Sequence, residues 1–555
     1  MPLYRAEAVR FSISGEPSLA GYTDTITTST DAADWTSLIN VAGGVAAGAR
    51  SLTFDTASGT LAAGNYVLIG SGANAEIRRI ASLGTYNGTG ATGAIIIDYP
   101  TGFFHDDNEA VDERTNASIA GDTFTTFLPG VYETITTPDL TPELLPQYFL
   151  RSASDRNWSY IYRGRQVFTG SIANMILLNG YPLRFGIGIV RTTANTVSTT
   201  TTVTAAATNA IGSRVLTVTS GVGFANGDLI EISRGQTNPE IRRITSGGGT
   251  ATFVLNYPML FAPSTVAGAV ALVTGSVFTH TIMETATLGS MTWHLFMRDS
   301  GETAANDLIR KHVGGKVNRM TISAEEGGLL RCSWDDVQFI DLVHNQTDHS
   351  SVAGTDAVAK SSRGIFNPAG IGGDYPSTGG VLGTPIYPTT EPYYFSQGNI
   401  TFFGITFARI RDFRLEITNN IEPRYYIRDL ATDRTPLEIQ EGRREYRFTA
   451  TIGMEDSLAA TATTRTLWKE LILEGNYGSG MTGFNVELLF TRGANDTIRI
   501  RSPQDQTPST SFEDQGCFFL RAPHPIGAES PVQVGGEIIL RNLEIIVTDN
   551  IGVYP

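Results

Sequence analysis

Cysteine is nearly absent from this chain. Its 555 residues hold two, Cys332 and Cys517, far apart in sequence, which excludes a disulfide framework and a cysteine metal cage. Charge is also sparse, at 17% of residues, and leans acidic, with a formal net charge of −15. Tight phosphate binding rests on Lys and Arg displacing counterions, so this balance argues against it. Contact without adhesion stays open, because an acidic surface repels a polyanion over about a Debye length and lets it slide past. No stretch approaches the roughly 20 apolar residues of a membrane helix. Met1-Pro2-Leu3-Tyr4-Arg5 leads into no apolar export segment, so the expectation is synthesis in a cytoplasm without a classical signal. Walker loops, G-x-S-x-G elbows, H-E-x-x-H pairs and dinucleotide fingerprints are missing as well. The reading therefore nominates no catalytic residue, no cofactor and no metal, and treats the protein as not an enzyme.

What is present in quantity is glycine, 59 residues, together with many Thr and Ser. Glycine supplies turns and threonine fits a pleated surface, so the chain reads as mainly β. It also repeats itself. Residues 48–111 and 212–270 are two copies of one small module, aligned through Gly48-Ala49-Arg50-Ser51-Leu52-Thr53 and Gly212-Ser213-Arg214-Val215-Leu216-Thr217. The register continues through Glu76-Ile77-Arg78-Arg79-Ile80 and Glu240-Ile241-Arg242-Arg243-Ile244 to Tyr99-Pro100 and Tyr257-Pro258. A fainter repeat spans the whole chain: Tyr148, Arg151, Asp155, Arg156, Gly164, Arg165, Phe168, Thr169 and Ile172 recur as Tyr425, Arg428, Asp433, Arg434, Gly442, Arg443, Phe448, Thr449 and Ile452. Duplicated units point to symmetric assembly more than to catalysis.

Strand periodicity is clean in several places. Phe413, Leu415 and Ile417 alternate with polar residues, as do Tyr446, Phe448, Ala450, Ile452 and Met454, and each predicts a half-buried strand. Phe484, Val486, Leu488 and Phe490 lead across Arg492-Gly493-Ala494-Asn495 to Ile498 and Ile500 as a hairpin. A second hairpin joins Met320, Ile322 and Ala324 to Leu330, Cys332 and Trp334 through Glu325-Glu326-Gly327-Gly328. Helical spacing is confined to Leu467, Trp468, Leu471 and Ile472, between Thr463 and Gly475, with a counterpart expected at Ala173–Leu178. Residues 352–394 are rich in Gly, Ser and Pro and lack periodicity, which marks a linker or a loop ordered by a neighbour.

Several clusters invite chemistry and have plainer readings. Asp341-Leu342-Val343-His344-Asn345-Gln346-Thr347-Asp348-His349 holds enough donors for a divalent metal, but no further ligand cluster has metal-site spacing, which favours a polar loop. Glu325 and Glu326 stand side by side on a turn, where adjacent residues face apart, so they read as solvated charge. Arg78-Arg79 and Arg242-Arg243 could offer oxyanion-binding edges. Alternation puts one of each pair on any face, so the favoured reading has one Arg pairing with Glu76 or Glu240.

Longer strings carry a family resemblance. Arg310-Lys311-His312-Val313-Gly314-Gly315-Lys316-Val317-Asn318-Arg319-Met320-Thr321-Ile322-Ser323-Ala324-Glu325-Glu326, Glu416-Ile417-Thr418-Asn419-Asn420-Ile421-Glu422-Pro423-Arg424-Tyr425 and Glu441-Gly442-Arg443-Arg444-Glu445-Tyr446 resemble the tail tube proteins of long-tailed bacteriophages. Ser154-Asp155-Arg156-Asn157-Trp158 and Phe168-Thr169-Gly170-Ser171-Ile172 are similar to that family's N-terminal region. Taken with the repeats, the resemblance implies two tandem tube-type β-sandwich or barrel domains, each with a short flanking helix; the two small β-modules are insertions that depart from the minimal family pattern. The expected first domain is 1–345, interrupted by modules at 36–115 and 200–275; 346–394 is expected as a long loop or linker, and 395–555 as the second domain. It further implies a structural virion protein whose rings stack into a conduit with an acidic wall, through which viral DNA is ejected into the host. A duplicated chain would form trimeric rings of pseudo-sixfold symmetry, and a single-domain pattern would form hexamers. Implied partners are other copies of the chain, a tape-measure protein, tail terminator and distal tail proteins, and double-stranded DNA in transit without sequence-specific binding, with no membrane insertion. The expected place is the virion tail, assembled in the host cytoplasm. Glu325 and Glu326 become candidates for assembly or the lumen, and Asp348, Tyr375 and Tyr387 for contacts between rings. The competing reading is an adhesin or receptor-binding protein whose modules bind host glycans through Tyr66, Tyr86, Tyr99, Phe103 and Phe104. A third class, a tail-associated depolymerase, would cleave host polysaccharide.

Overall fold

The computed structural model describes residues 9–16, 35–114, 134–136, 141–147, 160–297, 308–344, 391–426, 436–453, 483–508, 515–521 and 533–554, apart from positions 64, 98, 99, 403, 404, 408 and 409. The main body is two β-sheets around one core. The larger, of eleven strands, runs in spatial order Thr134–Thr136, Thr169–Ile176, Arg331–Gln338, Leu308–Glu325, Ile410–Thr418, Glu445–Gly453, Gln533–Ile539 and Phe518–Arg521. Met291–Met297 and Asp341–His344 pair with the first part of the long Leu308–Glu325 strand, and Val9–Gly15 pairs with Met291–Met297. The second sheet, of seven strands, runs Gly188–Ala194, Phe278–Glu284, Glu544–Asp549, Asp496–Ser502, Val486–Gly493, Gly398–Phe402 and Ile405–Phe407.

The alternation in the sequence explains the layering. Phe413, Leu415 and Ile417 are buried and lie opposite Ala450, Phe448 and Tyr446 on the next strand. Ile282, Leu488, Ile500 and Val547 of the second sheet join them in one apolar cluster, with Trp293, Trp334 and Phe185 filling its middle. Residues from both halves of the sequence line this cluster, so the halves share a core, and the pairing of Met320 with Ile417 carries the large sheet across from one to the other. Truncating such a core Leu or Phe to Ala removes about 2–5 kcal/mol.

The strand order is the same in both halves. Leaving aside the three added strands of the first half, Val9–Gly15, Met291–Met297 and Asp341–His344, each half supplies four strands to the main run of the large sheet, with its first and second in order and its fourth placed before its third. Between its first and second strands each half makes a small hairpin, Thr141–Gln147 with Tyr160–Val167 or Glu422–Arg424 with Glu438–Gln440. Between its second and third strands each contributes a hairpin to the other sheet, Gly188–Ala194 with Phe278–Glu284 or Val486–Gly493 with Asp496–Ser502. Ala494 and Asn495 close the second of these, while the whole second module fills the equivalent gap in the first.

The helix expected at Ala173–Leu178 is instead the end of strand Thr169–Ile176 and the residues after it. Ile172 and Met175 both face the core because the register with Arg331–Gln338 shifts between them and Asn174 takes a φ of +51°. This bulge stretches the apolar spacing from two residues to three, which imitates a helical stripe. The α-helix among the described residues is one turn, Arg184–Ile187. The second expected helix, near 463–475, lies outside the described residues.

The modules are two small β bodies with cores of their own. The first is a closed barrel in the order Trp35–Ile39, Ser51–Gly59, Gly93–Ile97, Glu76–Ser82, Tyr66–Ile69 and Ala110–Arg114, around Trp35, Phe54, Val67, Ile80 and Ile95. The second is a six-stranded sheet from Val197–Thr201 to Val215–Thr217, around Leu216, Ile230, Ile244 and Phe253. Phe103 of the first, Ile241 and Tyr257 of the second, and Phe278 and Val553 of the sandwich meet in a shared apolar cluster.

Candidate assembly site

The repeated Glu-Ile-Arg-Arg-Ile strings sit on equivalent strands, and their chemistry points inward. Arg78 meets Glu76 at 2.5 Å and Arg242 meets Glu240 at 2.7 Å, all four side chains buried. Each Arg also donates through Nε to a proline carbonyl, Pro100 at 3.0 Å or Pro258 at 3.1 Å. Each Glu accepts a backbone N–H from the following loop, Gly102 at 2.9 Å or Leu260 at 3.0 Å. These pairs pin a loop to a strand, which is the structural reading of the doubled arginines; Arg243, the second of its pair, is exposed.

The copies differ in one group. His105 donates or accepts at both ring nitrogens, 2.6 Å from Glu76 and 2.9 Å from Glu109. Burial alone lowers its pKa, but the two carboxylates outweigh burial and raise it to about 9. In turn, burial would raise Glu76, yet Arg78 and His105 hold its carboxyl below the usual range. Glu240 lacks that second cation, and burial leaves its pKa raised despite Arg242.

The modules are fixed to each other and to the sandwich. The Arg214 backbone N–H donates to Asn74 Oδ1 at 3.0 Å, its guanidinium donates to the Ala73 carbonyl at 3.1 Å, and the Phe104 N–H donates to the Gly212 carbonyl at 3.1 Å. Arg50 of the first module reaches the Leu437 carbonyl in the second half of the chain at 2.8 Å. Tyr86, Phe103 and Phe104, three of the aromatics considered for glycan binding, are buried in these cores and interfaces.

The large sheet presents its other face to solvent. Charges there are interleaved: Arg319 lies opposite Asp335 at 3.4 Å, Arg447 opposite Glu416 and 3.5 Å from Glu537, and Arg414 is 3.0 Å from Glu416. Thr449, Thr451 and Ser323 fill positions between them. This face is close to neutral, with each of these guanidiniums beside a carboxylate. Its lateral edges, among the described residues, are strands Thr134–Thr136 and Phe518–Arg521, each paired on one side. Leu520 and Ile539 are exposed beside the latter.

Glu325 and Glu326 stand at the tip of the expected hairpin, where Met320 pairs with Trp334 and Ile322 with Cys332. Both are exposed, and Glu326 meets Arg411 at 3.2 Å. Asp348, Tyr375, Tyr387 and His349 lie outside the described residues. Among the described residues no group of three or more His, Cys, Asp or Glu is placed to hold a metal ion. What the sequence did not flag is a cavity of about 570 Å³ toward the opposite end of the same sheet, where Arg443, Arg444 and Arg447 meet Arg541. Arg443 and Arg444 were visible as a doublet; Arg541, about a hundred residues later, carried no local signal.

A family model for phage tail tube proteins matches residues 151–537, which takes in the second module and the sandwich strands from Tyr160–Val167 into Gln533–Ile539, and stops short of Glu544–Asp549. No curated protein matches the chain.

Proposed function

The chain belongs to the phage tail tube protein family, and from that premise we propose that it forms stacked rings making the conduit for viral DNA. Membership makes it a structural component of a virion tail; the ring, its symmetry and its cargo are our reading. The observation that carries this reading is the repeated strand order. Inside one chain, the third strand of the first half, Leu308–Glu325, pairs with the first strand of the second, Ile410–Thr418. The third strand of the second half, Phe518–Arg521, and the first strand of the first half, Thr134–Thr136, are left at opposite edges. Pairing those edges between copies repeats the internal junction. Such a head-to-tail contact closes into a ring when the rotation permits and removes both sheet edges. The chain is then a tandem duplication, and three copies present six equivalent units, which favours a trimer of pseudo-sixfold symmetry over a hexamer.

The face of interleaved charge lines the lumen in this arrangement. Guanidiniums already held by carboxylates release fewer counterions to a passing duplex, so the wall grips DNA weakly. The modules sit outside the wall, residues 346–394 supply contacts between rings, and assembly in the host cytoplasm proceeds around a tape-measure protein between distal tail and terminator proteins. No chemical step is assigned to any residue. The adhesin reading loses part of its platform, since Tyr86, Phe103 and Phe104 are buried. Electron microscopy of the concentrated protein tests the proposal: hollow tubes with three-fold rings support it, and a chain that stays monomeric at high concentration, with or without a tail initiator complex, overturns it.

A further inference from the structure

The two ends of the large sheet differ in charge. At one end, Glu325 lies directly opposite Asp412 across the strand pair, and Glu326 follows at the hairpin tip. Like charges opposed in this way destabilise a sheet, and the exposed Arg411–Glu326 pair is of the kind that contributes little. Arg331 and Arg414 also lie near this end, and Arg414 is already held 3.0 Å from Glu416, so Glu325, Glu326 and Asp412 are left facing Arg331 and Arg411. At the other end, where Thr418 pairs with Glu445, Arg443, Arg444, Arg447 and Arg541 line the 570 Å³ cavity with two carboxylates, Glu284 and Glu445; Arg447 is also 3.5 Å from Glu537, and Arg541 donates to Gln515 at 3.0 Å. Tyr446 also borders it. This side chain is 6% exposed and lies near Glu284 and Arg444 without a hydrogen bond of normal geometry to either. Six residues along the strand, roughly 20 Å, separate the two ends.

We infer that the arginine-lined cavity receives the Glu325–Glu326 hairpin tip of a second copy, so that charge sets the polarity with which rings stack. This rests on the tube reading above. Guanidinium forks take carboxylates bidentately. A subunit with complementary ends grows head to tail, and because this contact runs along the strands it extends a stack where the lateral edges close a ring. Arg444 is anchored to Asn419 at 2.7 Å and frames the cavity; Arg443 is exposed and free to reach the incoming tip.

Two measurements test the inference. In the first, Glu325→Cys protein is mixed with Arg443→Cys protein and treated with a short bismaleimide. Cys332 and Cys517 are buried and do not compete. A cross-linked heterodimer well above the yield of either variant alone is expected, and it reads the contact even if growth stops at small stacks. In the second, the double variant Glu325→Arg, Glu326→Arg is compared with the parent by sedimentation of tubes. Tube mass at equal concentration should fall about tenfold while rings persist, and adding Arg443→Glu and Arg541→Glu to the same chain should restore it. Unchanged tube growth by the reversed chain overturns the inference, as does absence of the cross-link. So does an Arg443→Glu, Arg541→Glu protein that stacks normally but loses affinity for a short DNA duplex, which would assign the cavity to phosphate. A parent that forms neither rings nor tubes would count against the tube reading itself.

Discussion

Replacing His105 by Gln tests whether a buried charge network holds the first module together. His105 faces Glu76 from the strand Glu76–Ser82 and Glu109 from the loop before Ala110–Arg114, with Arg78 on the far side of Glu76. Its pKa is raised from 6.5 to about 9 in the folded protein. A raised pKa contributes stability that is fully present below the unfolded value and is lost as pH rises through the folded one. The shift of 2.5 units corresponds to about 3 kcal/mol, an upper value for one group. Glu76, held low, acts at the other side: its contribution is present above the unfolded value of 4.5 and is lost as pH falls through its folded value. The second module is an internal control, because Pro263 stands where His105 does, two residues after Phe261 and Phe103. Glu240 there is raised, so its contribution is present below 4.5 and lost as pH rises through its folded value. Hydrogen exchange of the full chain, corrected for the intrinsic pH dependence, reads the opening free energy of each module separately. The variant should lose about 3 kcal/mol of protection in Glu76–Ser82 near pH 6 and match the parent above about pH 9.5, with Glu240–Ser246 unmoved. Parallel curves for parent and variant across that range would refute the network's role.

Four further outcomes are expected. Ile135→Pro, in the three-residue edge strand Thr134–Thr136, removes a ladder donor and should leave the monomer folded by circular dichroism while native mass spectrometry shows loss of rings. Gly212→Val places a side chain 2.4 Å from the Ala47 Cβ at a φ of +84°; strain of about 1–3 kcal/mol should loosen the contact between modules, seen as faster proteolysis between them. Leu415→Ala in the shared core should cost about 2–5 kcal/mol and lower the denaturation midpoint of both halves together, because one cluster spans them. Burial pushes the Cys517 thiol up to about 12 and Cys332 higher still, so a thiol reagent at neutral pH should label neither until the chain unfolds.

Local signals in the sequence were sufficient where burial alternates without interruption. Phe413–Ile417, Tyr446–Ile452 and the hairpins at Glu325-Glu326 and Gly493–Asp496 were legible, because period-two burial and glycine turns are written in adjacent residues. The Glu76–Arg78 and Glu240–Arg242 pairs were legible for the same reason, two residues apart on one strand face. The bulge at Asn174 was not, since an unpaired residue in a strand spaces apolar side chains as a helix does. The arginine cavity and the mixed charge of the exposed face were out of reach too, because Arg541 and Glu537 meet Arg443 and Arg447 only through pairing of distant strands.

The sequence by itself determined the β class, which follows from short-range periodicity, and similarity between segments set the expectation of two modules and of a repeat that relates the halves. Tertiary structure decided that the halves share one core, that their strands follow one another head to tail in a single sheet, and that this sheet carries carboxylates at one end and an arginine cavity at the other. These depend on which strand lies beside which. Residues 320 and 417 meet because both sheets must bury one apolar face against the other, and no local pattern in either strand names its neighbour.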